Sequence, residues 1–224
     1  MLNEGPPVEP RPAASVLLLK GARAWQVLMI RRPEGAEFAP GAYVFPGGSV
    51  HPEDEQFADR IRAAAVRELF EEVGVLLARR GRRFAAAADA SRLRGALSRG
   101  TLWPDALAEC GLSPAHDRLA ALARWITPEP LRRRFDTWFF VARMPPGQTV
   151  EPQPGEVVDW TWIEPVSALA DGEVTLVYAT RRILESVASE REPGALIRRL
   201  RRRKRLLAVR PRLVNTPSGW EVVH

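Results

Sequence analysis

The chain has 224 residues, 46% apolar and 27% charged, with a formal net charge of +6. That is ample for a hydrophobic core and ordinary for a globular composition. It excludes a membrane-spanning helix, because no apolar run approaches the roughly 20 residues a bilayer requires, and its lone cysteine, Cys110, excludes an internal disulfide framework.

Residues 1–13, with prolines at 6, 7, 10 and 12, are expected to be a flexible lead-in without the cationic-then-apolar pattern of a secretory leader. A reducing cytoplasm is the expected compartment. Two apolar runs, 14–19 and 27–30, read as strands joined by a hairpin through Gly21. Residues 31–46 are loop-like and lead through Tyr43, Val44 and Phe45 to a turn at Gly47 and Gly48. A helix is expected from 54 to about 80, since Phe57, Ile61, Ala64, Ala65 and Leu69 recur at three- and four-residue steps. Gly74 marks its end or a break, with a strand starting at 75–77.

Residues 85–125 read as two or three short helices, one capped by Ser113 and Pro114. Strands are expected at 135–142 and 157–163, and helices at 164–170 and 176–189. Segments 205–209 and 220–223 are expected to form a closing pair of strands. Alternating strands and helices make a single α/β domain the economical fold. The basic residues concentrate at 198–205, where all but Leu200 are Arg or Lys. No aromatic residue interleaves there to stack on bases, so a solvated surface is favoured over nucleic-acid recognition.

The chemistry-bearing segment is Arg67-Glu68-Leu69-Phe70-Glu71-Glu72-Val73-Gly74-Val75. Spacings of three and four residues put Glu68, Glu71 and Glu72 on one side of a helix. Each like-charged pair costs roughly 0.2–0.5 kcal/mol in an isolated helix, so this face calls for a cation, and a hard divalent ion suits oxygen ligands. The competing reading is a salt-bridged surface with Arg67–Glu71 as an i,i+4 pair. The glycine turn before and the Gly74-Val75 pair after favour the metal site. His51, His116 and His224 are scattered, and Cys110 has no matched histidine, so neither zinc nor thiol chemistry is indicated.

Gly48 followed by this segment resembles the Nudix box, Gly-x5-Glu-x7-Arg-Glu-U-x-Glu-Glu-x-Gly-U with U aliphatic. The right half matches at every fixed position. In the left half the interval from Gly48 to Arg67 is 67 − 48 = 19 residues, five longer than the pattern. Counting back eight from Arg67 finds Asp59 where the family has its first Glu, which places the extra residues within 49–59. The segments around 38–48, 66–77, Trp125-Ile126-Thr127-Pro128 and Arg134-Phe135-Asp136-Thr137 are similar to peroxisomal-type coenzyme A diphosphatases and their bacterial relatives. That resemblance covers roughly residues 12–185.

The resemblance implies an α/β fold, a Nudix-like α/β/α sandwich with a mixed β-sheet. Its domain would span 14–190, with a helical insertion at about 85–124 and a basic extension, 191–224, packed on it. It implies hydrolysis of a diphosphate linked to a further moiety, with Mg²⁺ or Mn²⁺ as cofactor. Coenzyme A or acyl-coenzyme A would be cleaved to 3′,5′-ADP and a phosphopantetheine fragment. Other nucleoside diphosphate derivatives, capped RNA, and a non-catalytic nucleotide- or RNA-binding module are the alternatives. Glu68, Glu71 and Glu72 match the family's metal-binding acids, Glu68 doubles as candidate general base, and Arg67 matches the residue that orients a carboxylate. A carbonyl at Gly47 or Gly48 would complete the metal shell. Glu156, with Glu151 second, is the candidate further acid, and Arg31, Arg32 and 132–134, Arg134 among them, are candidate phosphate partners. The expected partner is a small nucleotide-diphosphate substrate, with no membrane and a homodimer left open.

Overall fold

The computed structural model describes every residue except Met1, Glu4, Ser218 and His224, so the reading of His224 lies outside the described residues. The chain opens into β1 (Arg11–Lys20) and β2 (Gln26–Arg31), the expected hairpin, followed by β3 (Tyr43–Val44) and β4 (Gly47–Ser49). β1 begins at Arg11, inside the expected lead-in, where the Arg11 amide donates to the Arg134 carbonyl at 2.9 Å.

The long helix expected from residue 54 is two elements. Residues Pro52–Gln56 form a 3₁₀ turn, and α1 spans Arg60–Val73. Asp59 starts α1 as its N-cap, its carboxylate accepting from the Arg62 amide at 3.0 Å. Gly74, at φ +70°, ends it in the left-handed conformation that glycine adopts without a Cβ penalty. The 75–77 run is not itself a strand; β5 (Ala78–Arg80) follows it and pairs with β6 (Arg83–Phe84).

The insertion holds two helices, α2 (Ala87–Ser98) and α3 (Trp103–Glu109). Ser113 and Pro114 do not start a third: they form β7 (Ser113–Pro114), a short strand against β5. β8 (Ala120–Ile126) then re-enters the main sheet, ahead of β9 (Phe135–Arg143) and β10 (Asp159–Ile163). Helices α4 (Pro165–Ala170), α5 (Tyr178–Val187) and α6 (Pro193–Arg201) follow. The two segments expected to close the chain as a pair do not meet. β11 (Ala208–Val209) runs parallel to β8, whereas β12 (Arg212–Thr216) pairs with β13 (Gly219–Val223) in a separate hairpin.

The main sheet runs β10-β2-β1-β9-β8-β11, with β1–β9 and β8–β11 parallel and its other pairings antiparallel, hence mixed. Its central strands are buried on both faces, which is why they read as unbroken apolar runs. Alternate residues go to opposite cores. Val16, Leu18, Leu28, Ile30 and Phe140 pack with Leu69 and Val73 of α1. Leu17, Leu19, Val27, Met29 and Val141 pack with Ile183 and Leu184 of α5 and Leu196 and Leu200 of α6. Helix on sheet on helix is the expected α/β/α sandwich. The basic run closes α6: Leu196, Ile197 and Leu200 are buried, while Arg199 pairs with Glu190 and Arg203 donates to the Leu122 carbonyl.

The glycine turn is set by the approach of β4 to β1, where Ser15 pairs with Gly47 and Ala14 with Gly48. A Cβ on Gly47 would stand 2.2 Å from the Ala14 carbonyl oxygen, a backbone atom that cannot step aside. Gly47→Ala is therefore expected to destabilise the fold by about 2 kcal/mol or more, read as the shift in a chemical denaturation midpoint.

Candidate metal and active site

Arg67 organises the site. Its side chain is fully buried, and each of its five N–H groups has an acceptor. Nε donates to Asp54 at 3.1 Å, and Nη2 to Asp54 at 2.9 Å and to the Ser49 carbonyl at 2.9 Å. Nη1 donates to Glu68 at 2.9 Å and Glu71 at 2.7 Å. One guanidinium thus ties α1 to the 3₁₀ turn and to β4.

Asp54 corrects the alignment of the left half of the motif. It is fully buried on Arg67, whereas Asp59 caps the helix. The interval from Gly48 is 54 − 48 = 6 residues, the pattern's own spacing for its first acid. The five extra residues therefore fall after that acid, within 55–66, and not before it.

Glu72 lies beside the glycine turn, its Oε2 accepting from the Gly47 amide at 2.7 Å. A Cβ on Gly48 would sit 2.6 Å from the Glu68 carboxyl group, so this glycine leaves room for that acid. Burial first, and then the Glu68 charge, push the Glu72 pKa up to about 8. Burial likewise takes Glu68 to about 7, with Arg67 opposing and Glu71 adding. Glu71, half-exposed, is raised by burial against the pull of Arg67. Arg67 itself is held charged by Asp54, Glu68 and Glu71 despite its burial.

The loop after β9 is pinned to the end of α1. Gln153 and Glu151 donate their amides to the carbonyls of Glu72 and Val73 at 2.8 and 2.9 Å, satisfying groups a helix end leaves open. This brings exposed Glu156 near enough for its charge to raise the Glu72 pKa, with Arg32 acting in the opposite sense. Glu151 turns away, its carboxylate paired with Arg94 at 2.7 Å.

Beside the glycine turn opens a cleft of about 470 Å³, walled by Phe38, Phe45, Trp125, Leu131, Phe139 and Tyr178, with Arg32 and Arg133 also lining it. Of the candidate phosphate arginines, Arg32 therefore faces the cleft. Arg31 is engaged with Glu34 and the Gly41 carbonyl. Arg134 is not a phosphate partner: it is buried, donating to the carbonyls of Val8 and Thr127 at 2.6 and 3.1 Å. Its neighbour Arg133, ion-paired with Glu37, takes the cleft position instead. A one-residue difference in a strand-entry loop decides this, and a run of three arginines carries no sequence signal for it.

Among the described residues no three acidic, histidine or cysteine side chains stand in a metal-holding arrangement as they lie, because Arg67 draws Glu68 and Glu71 onto its own Nη1. The donor set still fits a hard divalent cation. It is all carboxylate oxygen beside a glycine turn, and burial leaves Glu68 and Glu72 with raised pKa values that a neighbouring positive charge would lower. Glu68, Glu71, Glu72 and Glu156 with the Gly48 carbonyl are the residues that would hold it.

Residues 9–95 match the model of the NUDIX domain. The chain is 36% identical over 157 residues to "Putative nudix hydrolase 7" of Caenorhabditis elegans, which covers 69% of this chain and 52% of that protein. The chain thus spans about half the length of this curated relative. Its fold is similar to a crystal structure of a NUDIX hydrolase from Alicyclobacillus acidocaldarius, with a TM-score of 0.71 at 24% identity over 85% of this chain and 96% of that one. It is also similar to the NUDIX domain of Shewanella oneidensis NrtR complexed with ADP ribose, with a TM-score of 0.51 at 15% identity over 80% and 87% of the two chains.

The raised carboxylates make a prediction that needs no substrate. Both Glu68 and Glu72 start from 4.5 in the unfolded chain. Below that pH both states are protonated and nothing is lost. Between 4.5 and about 8 the unfolded chain releases protons that the folded chain retains, so metal-free stability falls as pH rises through this window. Chemical denaturation with a chelator at about pH 5 and about pH 8 should show that fall. Glu72→Gln should remove much of it, and Mg²⁺ should restore the native protein at the higher pH.

Proposed function

From the premise that this chain carries a Nudix domain, we propose that it is a Mg²⁺- or Mn²⁺-dependent hydrolase of a diphosphate linked to a further moiety, cleaving coenzyme A or acyl-coenzyme A to 3′,5′-ADP and a phosphopantetheine fragment. The observation that carries this is the joining of three carboxylates, a glycine turn and an arginine-bearing apolar cleft in one place. The carboxylates suit a cation, the arginines Arg32 and Arg133 suit phosphate oxygens, and the apolar walls suit the body of a large attached group.

A divalent cation at the acids supplies charge neutralisation on the diphosphate oxygens and makes water a better nucleophile at neutral pH. Glu68, poised at about 7, accepts the proton from the attacking water, a value suited to general base catalysis. Arg67 keeps the Glu68 carboxylate aimed by the bond from Nη1. Glu72, fixed by the Gly47 amide, holds its oxygens at the turn, and Arg32 and Arg133 orient the phosphates along the cleft. The Glu156 charge raises the Glu72 pKa, and a cation held by these acids would relieve that repulsion. The segments that resemble the coenzyme A branch, at 38–48, 125–128 and 134–137, line part of this cleft, and that coincidence favours coenzyme A over other nucleoside diphosphates.

A panel of coenzyme A, acyl-coenzyme A, ADP-ribose and a dinucleoside polyphosphate with Mg²⁺ tests the reading. Coenzyme A derivatives should be turned over fastest, with 3′,5′-ADP as product. Glu68→Gln should lower kcat by roughly 10²–10⁴-fold while circular dichroism stays native. Rapid turnover of ADP-ribose with none of coenzyme A would overturn the substrate assignment and leave the diphosphatase chemistry.

A further inference from the structure

Two arginine-rich segments far apart in sequence meet on one surface. The first is the β5–β6 hairpin, where Arg79, Arg80, Arg82 and Arg83 flank Gly81. The second is the run at 198–205, at the end of α6 and just beyond it. Asp117, in the turn ahead of β8, joins them. Its carboxylate accepts from Arg79 at 2.6 and 2.7 Å, and its carbonyl accepts from Nη2 of Arg201 at 2.8 Å. Arg118 stands beside it, 3.4 Å from the same carboxylate.

Few of these charges are answered within the chain. Asp117 serves Arg79 and Arg118, Asp89 serves Arg80, and Glu190 serves Arg199. Among the described residues, Arg82, Arg83 and the other six basic residues of the run have no carboxylate partner, and all are exposed. These two and six cations exceed the net charge of +6 on the whole chain, so its positive excess sits here. The end of a helix favours cations in its last turn, which accounts for Arg198 and Arg201. It does nothing for Arg82, Arg83, Lys204 or Arg205. Arg198 and Arg202, four residues apart on the side of α6 away from buried Leu196 and Leu200, repel each other.

Guanidinium groups in this number suit an anion with many phosphate oxygens, which their planar forks match. The surface offers no open aromatic face: Phe84 is half-buried, with Arg79 and Arg118 at 5.5 and 5.0 Å from its ring centre. A single strand with unstacked bases would find no stacking platform here. A duplex keeps its bases stacked and presents two rows of phosphates, one charge per roughly 1.7 Å of axis. A bilayer asks for apolar side chains to insert, but those of α6 are buried, and beside the run Leu207 alone is exposed.

We propose that the joined surface of the β5–β6 hairpin, the Asp117 turn and the 198–205 run binds the sugar-phosphate backbone of a double-stranded nucleic acid, without reading its sequence. Taken alone, the run favours a solvated surface; the second arginine segment, which only the fold brings there, reverses that reading. None of these residues lines the cleft, so the surface stands apart from the diphosphate chemistry.

The test titrates the full chain into fluorescently labelled duplexes of mixed sequence, one RNA and one DNA, by anisotropy from about 50 to about 200 mM salt. At least one duplex should bind at the lower salt, with affinity falling steeply as salt rises and two unrelated sequences bound equally. The two arms tell RNA from DNA. Combining Arg198→Gln, Arg202→Gln, Lys204→Gln and Arg205→Gln should weaken binding by about tenfold or more. It should also flatten the slope of log affinity against log salt by about 3–4. Arg82→Gln with Arg83→Gln should flatten it by about 2. Both variants should keep a native circular dichroism spectrum. No binding of either duplex at the lower salt, or a slope unmoved by the Arg82 and Arg83 changes, would overturn the proposal. Tighter binding to a single strand, or to anionic vesicles at equal phosphate concentration, would overturn it as well.

Discussion

The site depends on one buried guanidinium. Arg67 lies at the crossing of α1, the 3₁₀ turn and β4, and all five of its N–H groups are occupied by Asp54, Ser49, Glu68 and Glu71. A buried cation with any partner missing would leave an uncompensated charge, a loss of several kcal/mol. Here the partners close on it completely. The same contact gives the acids a fixed place to return to, because two of the three carboxylates of the cluster lean on its Nη1. Glu72 stands outside this network, on the Gly47 amide, and it is the acid whose pKa is pushed highest. The fold therefore tolerates a repulsive cluster on the side where a cation would stand and neutralises it on the side where none can reach. That is the trade expected of a functional site, where local stability yields to chemistry.

The rest of the structure serves to hold this crossing against a cleft. Strands buried on both faces fix β1, and β1 fixes the glycine turn by pairing with β4. Gly47 lets β4 come within reach of the Ala14 carbonyl, and Gly48 leaves room for the Glu68 carboxyl. The same sheet, read in the other direction through β9 and β8, builds the apolar walls of the cleft and ends at the strand that launches the C-terminal hairpin.

What could be read from the sequence was what is local. The three acids, Arg67 and Gly74 lie within one helix and its cap, and periodicity alone puts them on one side. The strands of the first hairpin and β9 announce themselves as apolar runs. The errors fall where a long-range contact decides. Counting from Arg67 picked Asp59, but burial picked Asp54, since only the turn that Arg67 reaches can supply a buried partner. Arg134 and Arg133 are indistinguishable in sequence, and which one enters the cleft depends on strand register against residues 126 positions away, such as Val8. Residues 208–209 and 219–223 both look like strands, yet the first pairs with distant β8 and the second with its neighbour β12. Nothing in the sequence marks Val222 as part of a cleft.

Burial strains Glu68 and Glu72 toward protonation, and a bound cation would relieve that strain. Calorimetric titration of Mg²⁺ into the chain at about pH 7, in two buffers of different ionisation enthalpy, counts the protons released on binding. Groups poised at about 7 and about 8 should give net proton release, and Glu72→Gln should release less. Binding heats that do not depend on the buffer, or a release unchanged by Glu72→Gln, would contradict it.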